Sequence, residues 1–340
     1  MRKLLNTLYV TTPGAYISKD GLNIVVSVNQ EEVFRIPAIN IEGIVTFGYM
    51  GASPGVMKLC SDNGISLTFL SPNGRFISRV QGAVKGNVLL RKKQYSLSDN
   101  EIWSLHIAKL FICGKIQNYR NILKRFLRDY GENKNINHAV LVLERAKHDA
   151  LKSADKISLM GYEGIASNVY FDVLPILILN QKNDFLFNGR NRRPPKDAMN
   201  AMLSFAYTLI ANDISAALET IGLDPYVGFL HTLRPGRTSL ALDMMEELRA
   251  YLGDRFVLSL INKKQITIKD FLFQGNDGVV MTDRGKKVFI TAWQNRKRDL
   301  ITHPYLNEKI EIGLLPYVQS MLMARYIRQD IDDYPVFLIK

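Results

Sequence analysis

Short runs of Val, Ile, Phe and Thr alternate partly with polar residues through roughly the first 85 positions of the chain. This period of two is typical of β-strands that bury one face. Two dipeptides with strong turn preference, Asp20-Gly21 and Asn73-Gly74, separate such runs and predict hairpins. Between the strands, Ser53 is placed to begin a short helix that Asn63-Gly64 would end. The pattern predicts a small N-terminal antiparallel β-sheet domain at residues 1–85.

The hydrophobic period changes near Gly82. From Val88 onward, apolar residues recur every three or four positions over long stretches, which predicts amphipathic α-helices. The part from Ile266 to Leu300 mixes strand-like alternation with glycine turns, so a hairpin and a pair of short helices both remain open. We therefore predict an α+β chain in which a larger, mainly α-helical catalytic domain, residues 86–340, follows the β-sheet domain.

A helix start is predicted shortly after His231. That histidine ends an apolar turn, and a loop with two arginines, Arg234 and Arg237, follows it. The hydroxyl of Thr238 or of Ser239 can accept a hydrogen bond from the first turn of the next helix. This cap fixes which face of the helix is buried and which is polar.

Three carboxylates of this helix, those of Asp243, Glu246 and Glu247, fall at positions i, i+3 and i+4 and are therefore expected to share one face. Like charges so close repel one another unless a positive group lies among them. Arginine or lysine side chains can supply it. A divalent metal ion can also do so, since carboxylate oxygens and one neutral imidazole, here that of His231, are suitable ligands. A solvated acidic face is the alternative interpretation.

Glu163 adds an acidic position far away in sequence. Gly161 and Gly164 flank it, at the start of a segment in which apolar residues have helical spacing. The two small neighbours leave room beside the carboxylate. This second carboxylate favours a metal site over a purely solvated acidic face.

The composition is that of a globular chain with a strong positive charge. Apolar residues make up 47% of the 340 residues, which is ample for a buried core. The formal net charge of +12 favours a polyanionic partner, because lysines and arginines that neutralise phosphates release condensed counterions on binding. Ribosomal and membrane-surface roles would share this charge, so it supports nucleic acid as a partner without identifying the chemistry.

No targeting or membrane segment is predicted. The first residues lack the long apolar region and the small-residue cleavage site of a secretory signal. The most apolar run, from Val173 to Leu179, is interrupted by Pro175 and is far shorter than the roughly 20 residues that cross a bilayer. The two cysteines, Cys60 and Cys113, lack metal-ligand spacing, which is consistent with a reducing cytoplasm.

A basic loop precedes the helix that is expected to start at Asp197. Four cations lie close together there beside two prolines, and they can present positive charge to phosphates. These cations are Arg190, Arg192, Arg193 and Lys196. A connection between helices whose charges only solubilise it is the other interpretation. Arg234 and Arg237 are stronger candidates for a phosphate contact, because they flank the proposed metal site in sequence.

Three motifs occur in order along the chain: G-x-E-G-x-A-x-x-x-Y at residues 161–170, G-F-L-H at 228–231 and L-x-L-D-x-M-E-E at 240–247. Together with an RRPP loop and the β-rich start, they resemble the CRISPR-associated endonuclease/integrase family, the larger spacer-acquisition protein of prokaryotic adaptive immunity. The resemblance covers nearly the whole chain and is closest to the subtype C branch of type I systems. Many relatives carry proline after the last motif's F-R or L-R, whereas Arg249 is followed here by Ala250.

The resemblance implies a ligand set. In that family the metal is held by a glutamate, a histidine and an acidic residue, which match Glu163, His231 and Glu246 here, with Asp243 as an auxiliary ligand or a group that supports one. Mg²⁺ or Mn²⁺ fits these ligands, and the imidazole favours Mn²⁺ slightly. The expected reaction is attack of a DNA 3′-hydroxyl on a phosphodiester, with hydrolytic cleavage as a side or reverse activity. His231 could instead be a general acid for the leaving oxygen.

The resemblance also implies partners. The N-terminal domain is expected to serve dimerisation and DNA positioning, with Tyr9 as a candidate to stack against a DNA fork. The working form would be cytoplasmic homodimers that a small partner protein of the adaptation system bridges into a hetero-hexamer. Their substrates would be double-stranded or branched DNA, namely a captured fragment and the leader end of a CRISPR repeat. No membrane is expected to take part.

Two other functional classes are compatible with the residues. A non-catalytic, basic DNA-binding scaffold would use the acidic cluster only for salt bridges, and its DNA binding would be indifferent to Glu246 and to metal. A metal hydrolase of small phosphoesters would turn over its substrate without DNA. The basic loops and the resemblance argue against the hydrolase.

Overall fold

The chain forms two compact units. The computed structural model describes residues 6–48, 50–72, 76–80, 82, 87–192, 194–275 and 278–339. The first unit contains residues 1–86, 281–299 and 311–314, and the second contains 87–280, 300–310 and 315–340. The units therefore divide near the boundary drawn from the sequence, but two later segments belong to the first unit.

Two four-stranded sheets form the framework of the first unit. Their strands are β1 (Thr7–Val10), β2 (Ala15–Asp20), β3 (Asn23–Val28), β4 (Glu31–Pro37), β5 (Gly43–Phe47), β6 (Gly51–Ala52), β7 (Ser66–Leu70) and β8 (Phe76–Val80). The strand orders are β1-β5-β7-β8 and β4-β3-β2-β6. The alternation seen in the sequence gives this unit its core, in which Ile17, Ile24, Ile44 and Leu67 are fully buried.

The strand pairing in these sheets is mixed. β2, β3 and β4 pair antiparallel, as do β7 and β8. The hairpin predicted at Asp20-Gly21 is therefore confirmed, and the predicted turn at Asn73-Gly74 lies outside the described residues. In contrast, β5 is parallel to β1 and to β7, and β6 is parallel to β2. A purely antiparallel sheet was therefore the wrong expectation. The chain between β5 and β7 contains helix α1 (Pro54–Asn63), and a crossover of this kind lets two strands run in the same direction.

Helix α1 has the ends that the sequence predicts. The Ser53 hydroxyl accepts a hydrogen bond from the Val56 amide at 3.2 Å, and Pro54 occupies the first helical position. Gly64 ends the helix with a φ of +68°, a left-handed conformation that glycine adopts without steric cost. The predicted short helix is confirmed.

Helices dominate the rest of the chain. They are α2 (Val88–Asp99), α3 (Glu101–Tyr130), α4 (Lys134–Lys152), α5 (Lys156–Val173), α6 (Ala198–Ile221), α7 (Ser239–Leu248), α8 (Arg255–Asn262), α9 (Asp283–Arg298) and α10 (Leu315–Arg328). Two short ribbons pair β9 (Phe271–Phe273) with β10 (Val279–Met281) and β11 (Leu300–Thr302) with β12 (Lys309–Glu311). The predicted fold class, α+β with a β-sheet segment before a larger helical part, is confirmed.

Helix α9 belongs to the first unit. The side-chain amide of Gln294 donates to the Thr7 carbonyl at 2.8 Å and so joins this helix to strand β1. The segment that the sequence left open thus contains both a strand ribbon and a helix.

Helix α3 is the centre of the second unit and contacts α2, α4, α5 and α7. Helix α6 is the one helix among the described residues that is long and apolar enough to cross a bilayer, yet 72% of its most apolar window is buried inside the fold. Helix α7 runs into a π-helix, Arg249–Asp254, which leads into α8. The helix can continue through Ala250 because alanine, unlike proline, retains its backbone amide.

Candidate metal-binding active site

Two glutamates from different helices face one buried lysine. Lys115 of α3 places its Nζ 2.7 Å from Glu246 Oε2 of α7 and donates a short hydrogen bond to Glu163 Oε1 of α5. The side chains of Lys115, Glu246 and Glu163 are 2%, 5% and 28% exposed. The structure therefore brings together the two carboxylates that the sequence places far apart, with an ammonium group between them.

Further contacts fix both carboxylates. Arg249 Nη2 lies 2.8 Å from Glu246 Oε1, and the Ser167 hydroxyl donates to Glu163 Oε1 at 2.7 Å. Glu246 Oε2 is buried and accepts no well-directed hydrogen bond from the described residues, although Lys115 Nζ is close. This oxygen retains a lone pair for a cation.

The surrounding charges keep both glutamates ionised. Burial by itself would raise the pKa of Glu246, but the positive charges of Arg249 and Lys115 outweigh it and lower this pKa to about 2. Burial also opposes ionisation of Glu163, and the charge of Lys115 again prevails, so that its pKa lies below the ordinary value. A positive charge on the His231 imidazole would add a smaller lowering of the Glu246 pKa. Both carboxylates carry the charge that a metal ligand needs.

Asp243 orients His231. Its Oδ1 lies 2.5 Å from His231 Nδ1 and also accepts the His231 backbone amide at 3.0 Å. Its Oδ2 accepts the amides of Phe229 and Leu230 at 2.7 and 2.9 Å. These four contacts use the acceptor capacity of the carboxylate, so Asp243 supports the histidine and has no lone pair left for a metal. A carboxylate only accepts, so the proton is on Nδ1 and Nε2 is the nitrogen suited to a metal or a proton transfer.

The loop that carries His231 is hydrogen-bonded to helices α2 and α3. The Ser98 hydroxyl donates to the Gly228 carbonyl at 2.9 Å, and the Ser104 hydroxyl donates to the Phe229 carbonyl at 3.0 Å. Together with the amides that donate to Asp243, these contacts pair backbone groups of a segment that has no regular secondary structure.

Helix α7 starts where the sequence predicts, but with a different cap. Thr238 is the N-cap residue, and no side-chain capping bond is found there within the described part of the chain. The amides of Leu240 and Ala241 instead donate to the Pro225 carbonyl at 3.0 and 3.4 Å. The predicted hydroxyl cap by Thr238 or Ser239 is wrong, because a carbonyl of the preceding loop already satisfies these amides.

Glu247 does not share the surroundings of Glu246. It is fully buried and accepts hydrogen bonds from Gln319 Nε2 at 3.1 Å, from the Tyr334 hydroxyl and from the Phe337 amide at 2.5 Å. Burial raises its pKa to about 7 against the opposing effect of these donors. The expectation that the three acidic side chains of α7 point the same way is wrong. Residues three and four positions apart differ by tens of degrees around a helix, which lets each contact a different partner.

The described residues contain no group of three His, Cys, Asp or Glu side chains that is already gathered to hold a metal. Glu163 and Glu246 nevertheless share one cation position, which the Lys115 ammonium fills. Two carboxylates and an imidazole held through its other nitrogen are donors that suit Mg²⁺ or Mn²⁺. The residues therefore fit a divalent ion in chemistry, with Lys115 between two of the donors.

The predicted DNA-binding residues differ in their surroundings. Arg190 donates to Asn200 Oδ1 at 2.7 Å and to Ser204 Oγ at 3.0 Å, and its guanidinium lies 5.3 Å from the centre of the Tyr207 ring. Its side chain thus stabilises its own loop, and a phosphate contact would have to replace these bonds. Arg190 is therefore hydrogen-bonded to helix α6 and is not free for a contact at the surface.

Most of the other predicted DNA contacts lie at the surface. Arg192, Lys196 and Arg234 are exposed, and Arg237 is half-buried. Arg193 lies outside the described residues. Tyr9 is half-buried and stacks on Phe47 with ring centroids 6.3 Å apart. Contacts of these side chains with DNA stay predictions.

Sequence reasoning missed Lys115 and Arg249. Lys115 follows Ile107 and Phe111 at intervals of four residues, and both of these are fully buried. A lysine on such an apolar stripe has to find an anionic partner, because a buried charge without one is very unfavourable. The helical spacing of Lys115 from these two apolar residues could therefore have indicated that the lysine is buried beside an acidic residue. Arg249, three residues after Glu246, could have been found as its i+3 partner.

Comparisons of the sequence with a family model and with curated proteins indicate the same family. A family model described as "CRISPR associated protein Cas1" matches residues 8–295. "CRISPR-associated endonuclease Cas1 1" from Chlorobaculum tepidum is 48% identical over 344 residues, covering 99% of this chain and 99% of the relative.

Two solved structures share the fold. "Casposase bound to integration product" superposes with a TM-score of 0.83 and 21% identity, covering 97% of this chain and 92% of that one. "Cas6-RT-Cas1–Cas2 complex" superposes with a TM-score of 0.85 and 21% identity, covering 98% of this chain and 36% of that one.

Proposed function

This chain belongs to the CRISPR-associated Cas1 family, and we propose that it is a divalent-metal-dependent DNA endonuclease/integrase that inserts short DNA fragments into a CRISPR array. The observation that carries the proposal is the pair of ionised carboxylates, Glu163 and Glu246, which face one buried cation position. The relative named an endonuclease supports the activity, and the fold shared with a casposase bound to an integration product supports the architecture.

The reaction is attack of a fragment's 3′-hydroxyl on a phosphodiester of the target. A bound Mg²⁺ or Mn²⁺ would stabilise the charge that gathers on the non-bridging oxygens and would orient the attacking hydroxyl. Glu163 and Glu246 would hold the ion, helped by the lowered pKa values of both carboxyls. His231, with Nδ1 bound to Asp243, would offer Nε2 as the third ligand or as the acid that protonates the leaving oxygen.

Of the two metals, Mn²⁺ suits the site slightly better. Carboxylate oxygens accept either ion, but an imidazole ligand favours a borderline metal over Mg²⁺. Within the family we assign the chain to the subtype C branch of type I systems, on the strength of its ordered motifs.

The proposed assembly contains more than one copy of the chain. Insertion needs two attacks at separated positions, and each chain offers one candidate site. We place the chain in cytoplasmic homodimers that a small Cas2-type protein bridges into a hetero-hexamer, as a solved complex of similar fold also contains Cas2. The exposed Arg192, Lys196 and Arg234 and the half-buried Arg237, in a chain of net charge +12, would contact the phosphates of double-stranded or branched DNA.

A strand-transfer assay tests this function. It uses a fragment with free 3′-hydroxyls, a target with a leader and repeat, the small partner protein, and Mn²⁺, Mg²⁺ or EDTA. Glu163→Gln and Glu246→Gln should each lower strand transfer by about 100-fold or more, the size of losing a group that stabilises transition-state charge, while DNA affinity is retained. EDTA should abolish the reaction.

A carboxylate outside the site is the matched control. Glu144 of α4 contacts Arg120 and Lys147, so Glu144→Gln should keep parental activity. Thermal unfolding of each variant verifies that it folds. Parental strand transfer by either site variant would remove that glutamate from the catalytic centre. DNA binding without any metal-dependent transfer would favour the scaffold function.

A further inference from the structure

Lys115 occupies the position between the two carboxylates that are proposed to hold the metal. Its Nζ lies 2.7 Å from Glu246 Oε2, it donates to Glu163 Oε1, and its side chain is 2% exposed. An ammonium is buried to this extent only when anions compensate it, and two neighbouring carboxylates equally need a cation between them. The lysine and the two glutamates therefore depend on one another.

We propose that Lys115 is a tethered substitute for the metal ion, which holds Glu163 and Glu246 together and leaves its place between them when a divalent ion binds. This inference rests on the proposed function, because it takes the two glutamates as metal ligands. Lys115 is a positioning residue in this scheme: it keeps the ligands together until the ion replaces it.

The charges of the site support an exchange of cations. Glu163 and Glu246 contribute two negative charges, and Lys115 and Arg249 contribute two positive ones, so the charges of these four groups balance. A divalent ion is attracted to this site only weakly while the ammonium remains between the carboxylates. Once the ammonium has moved away, the ion meets both carboxylates directly.

Lys115 is better suited to move than Arg249. A lysine carries its charge on a flexible four-carbon stem, whereas the guanidinium of arginine is planar and rigid. Arg249 also stacks on the Tyr207 ring at 4.9 Å, which fixes its position. The site is more open at Glu163, which is 28% exposed, than at Glu246, which is 5% exposed. The ammonium can therefore move towards solvent on the Glu163 side.

The test compares Mn²⁺ binding to the full chain, to Lys115→Met and to Lys147→Met, with free Mn²⁺ measured by electron paramagnetic resonance. Methionine keeps the length of the side chain and removes the charge. Lys147 of α4 is a matched control, because its Nζ contacts Gln117 and Glu144 outside the site. Lys115→Met should bind Mn²⁺ about tenfold or more tightly than the parent, whereas Lys147→Met should have parental affinity.

Thermal unfolding gives a second test of the role of Lys115. In EDTA, Lys115→Met should unfold at a lower temperature than the parent, because the two carboxylates have lost their cation, and saturating Mn²⁺ should raise its unfolding temperature more than that of the parent. If Lys115→Met does not fold without metal, Lys115→Gln serves for the same comparison. Parental or weaker Mn²⁺ affinity in the folded variant would overturn the inference.

Glu163→Gln and Glu246→Gln separate this inference from the proposed function. If both lose Mn²⁺ binding while Lys115→Met keeps parental affinity, the metal site stands and only the role of Lys115 is wrong. If both bind Mn²⁺ as the parent does, the ligand assignment itself fails.

Discussion

The carboxylate of Asp243 determines where His231 lies. It accepts three successive backbone amides and the imidazole Nδ1, so the loop and the ring share one anchor. Gly228, at the start of this loop, packs tightly against the Asp243 carboxylate and the first turn of α7. A Cβ at this position would lie 2.5 Å from Asp243 Oδ2 and 2.8 Å from the Leu240 amide nitrogen. Glycine is therefore required here for close approach.

Gly228→Ala is expected to lower the free energy of unfolding by about 1–3 kcal/mol, the usual cost of overpacking, and to displace Asp243 from His231. Denaturant unfolding measures the change. Gly161→Ala is the control, because a Cβ there meets nothing within 4 Å and alanine in a helix is favoured by about 0.5–1 kcal/mol. Equal effects of the two substitutions would contradict the tight packing at Gly228.

The candidate ligands were named from the sequence, but not by their chemistry alone. The acidic spacing of α7 and the glycines beside Glu163 indicated a metal site, and the choice of Glu163, His231 and Glu246 as its ligands came from the motifs that resemble the family. Lys115 was missed because its role depends on two residues that are far away in sequence. Spacing on one helix can suggest that a lysine is buried, but it does not give the identity of the partner.

The C-terminal segment after α10 joins the two helices that carry Lys115 and Glu246. Glu247 of α7 accepts hydrogen bonds from Tyr334 and Phe337. Asn118 of α3 donates to the Phe337 carbonyl at 2.8 Å and accepts the Ile339 amide at 3.0 Å. This segment therefore holds α3 and α7 beside each other under the candidate site.

Glu247→Ala should lower the free energy of unfolding by at least about 2 kcal/mol, because several buried donors lose their acceptor. Hydrogen exchange at the Phe337 and Ile339 amides should become faster as the segment detaches. Glu308 is exposed, so Glu308→Ala should leave both measurements unchanged. Parental exchange rates at Phe337 in the Glu247→Ala variant would show that this carboxylate does not anchor the segment.

Helices and strands could be predicted from the sequence where nearby residues alone determine them. The ends of α1 follow from Ser53 and Gly64, and the long apolar period gives α3. The parallel pairing of β5 was not predictable, because strand direction depends on a crossover rather than on alternation. The start of α7 was found, but its cap was not, since the Pro225 carbonyl comes from another part of the loop.

All residues of the candidate site lie in the second unit, at positions 115, 163, 231, 243 and 246. The first unit contributes none of them, and the role of its sheets in dimerisation and DNA positioning stays a prediction. The sequence distinguished the two kinds of structure by hydrophobic period. It did not assign α9 to the first unit, because the contact between Gln294 and Thr7 joins residues near opposite ends of the chain.

Anomalous X-ray diffraction at the manganese edge, from crystals of the full chain grown with Mn²⁺, can locate the proposed ion. We expect Glu163, Glu246 and His231 to hold it at the position of the Lys115 ammonium. The map should then have a peak within about 2.6 Å of a carboxylate oxygen of both glutamates and an imidazole nitrogen, with the lysine ammonium moved away. A peak elsewhere, with Lys115 still between Glu163 and Glu246, would show that these residues do not form the metal site.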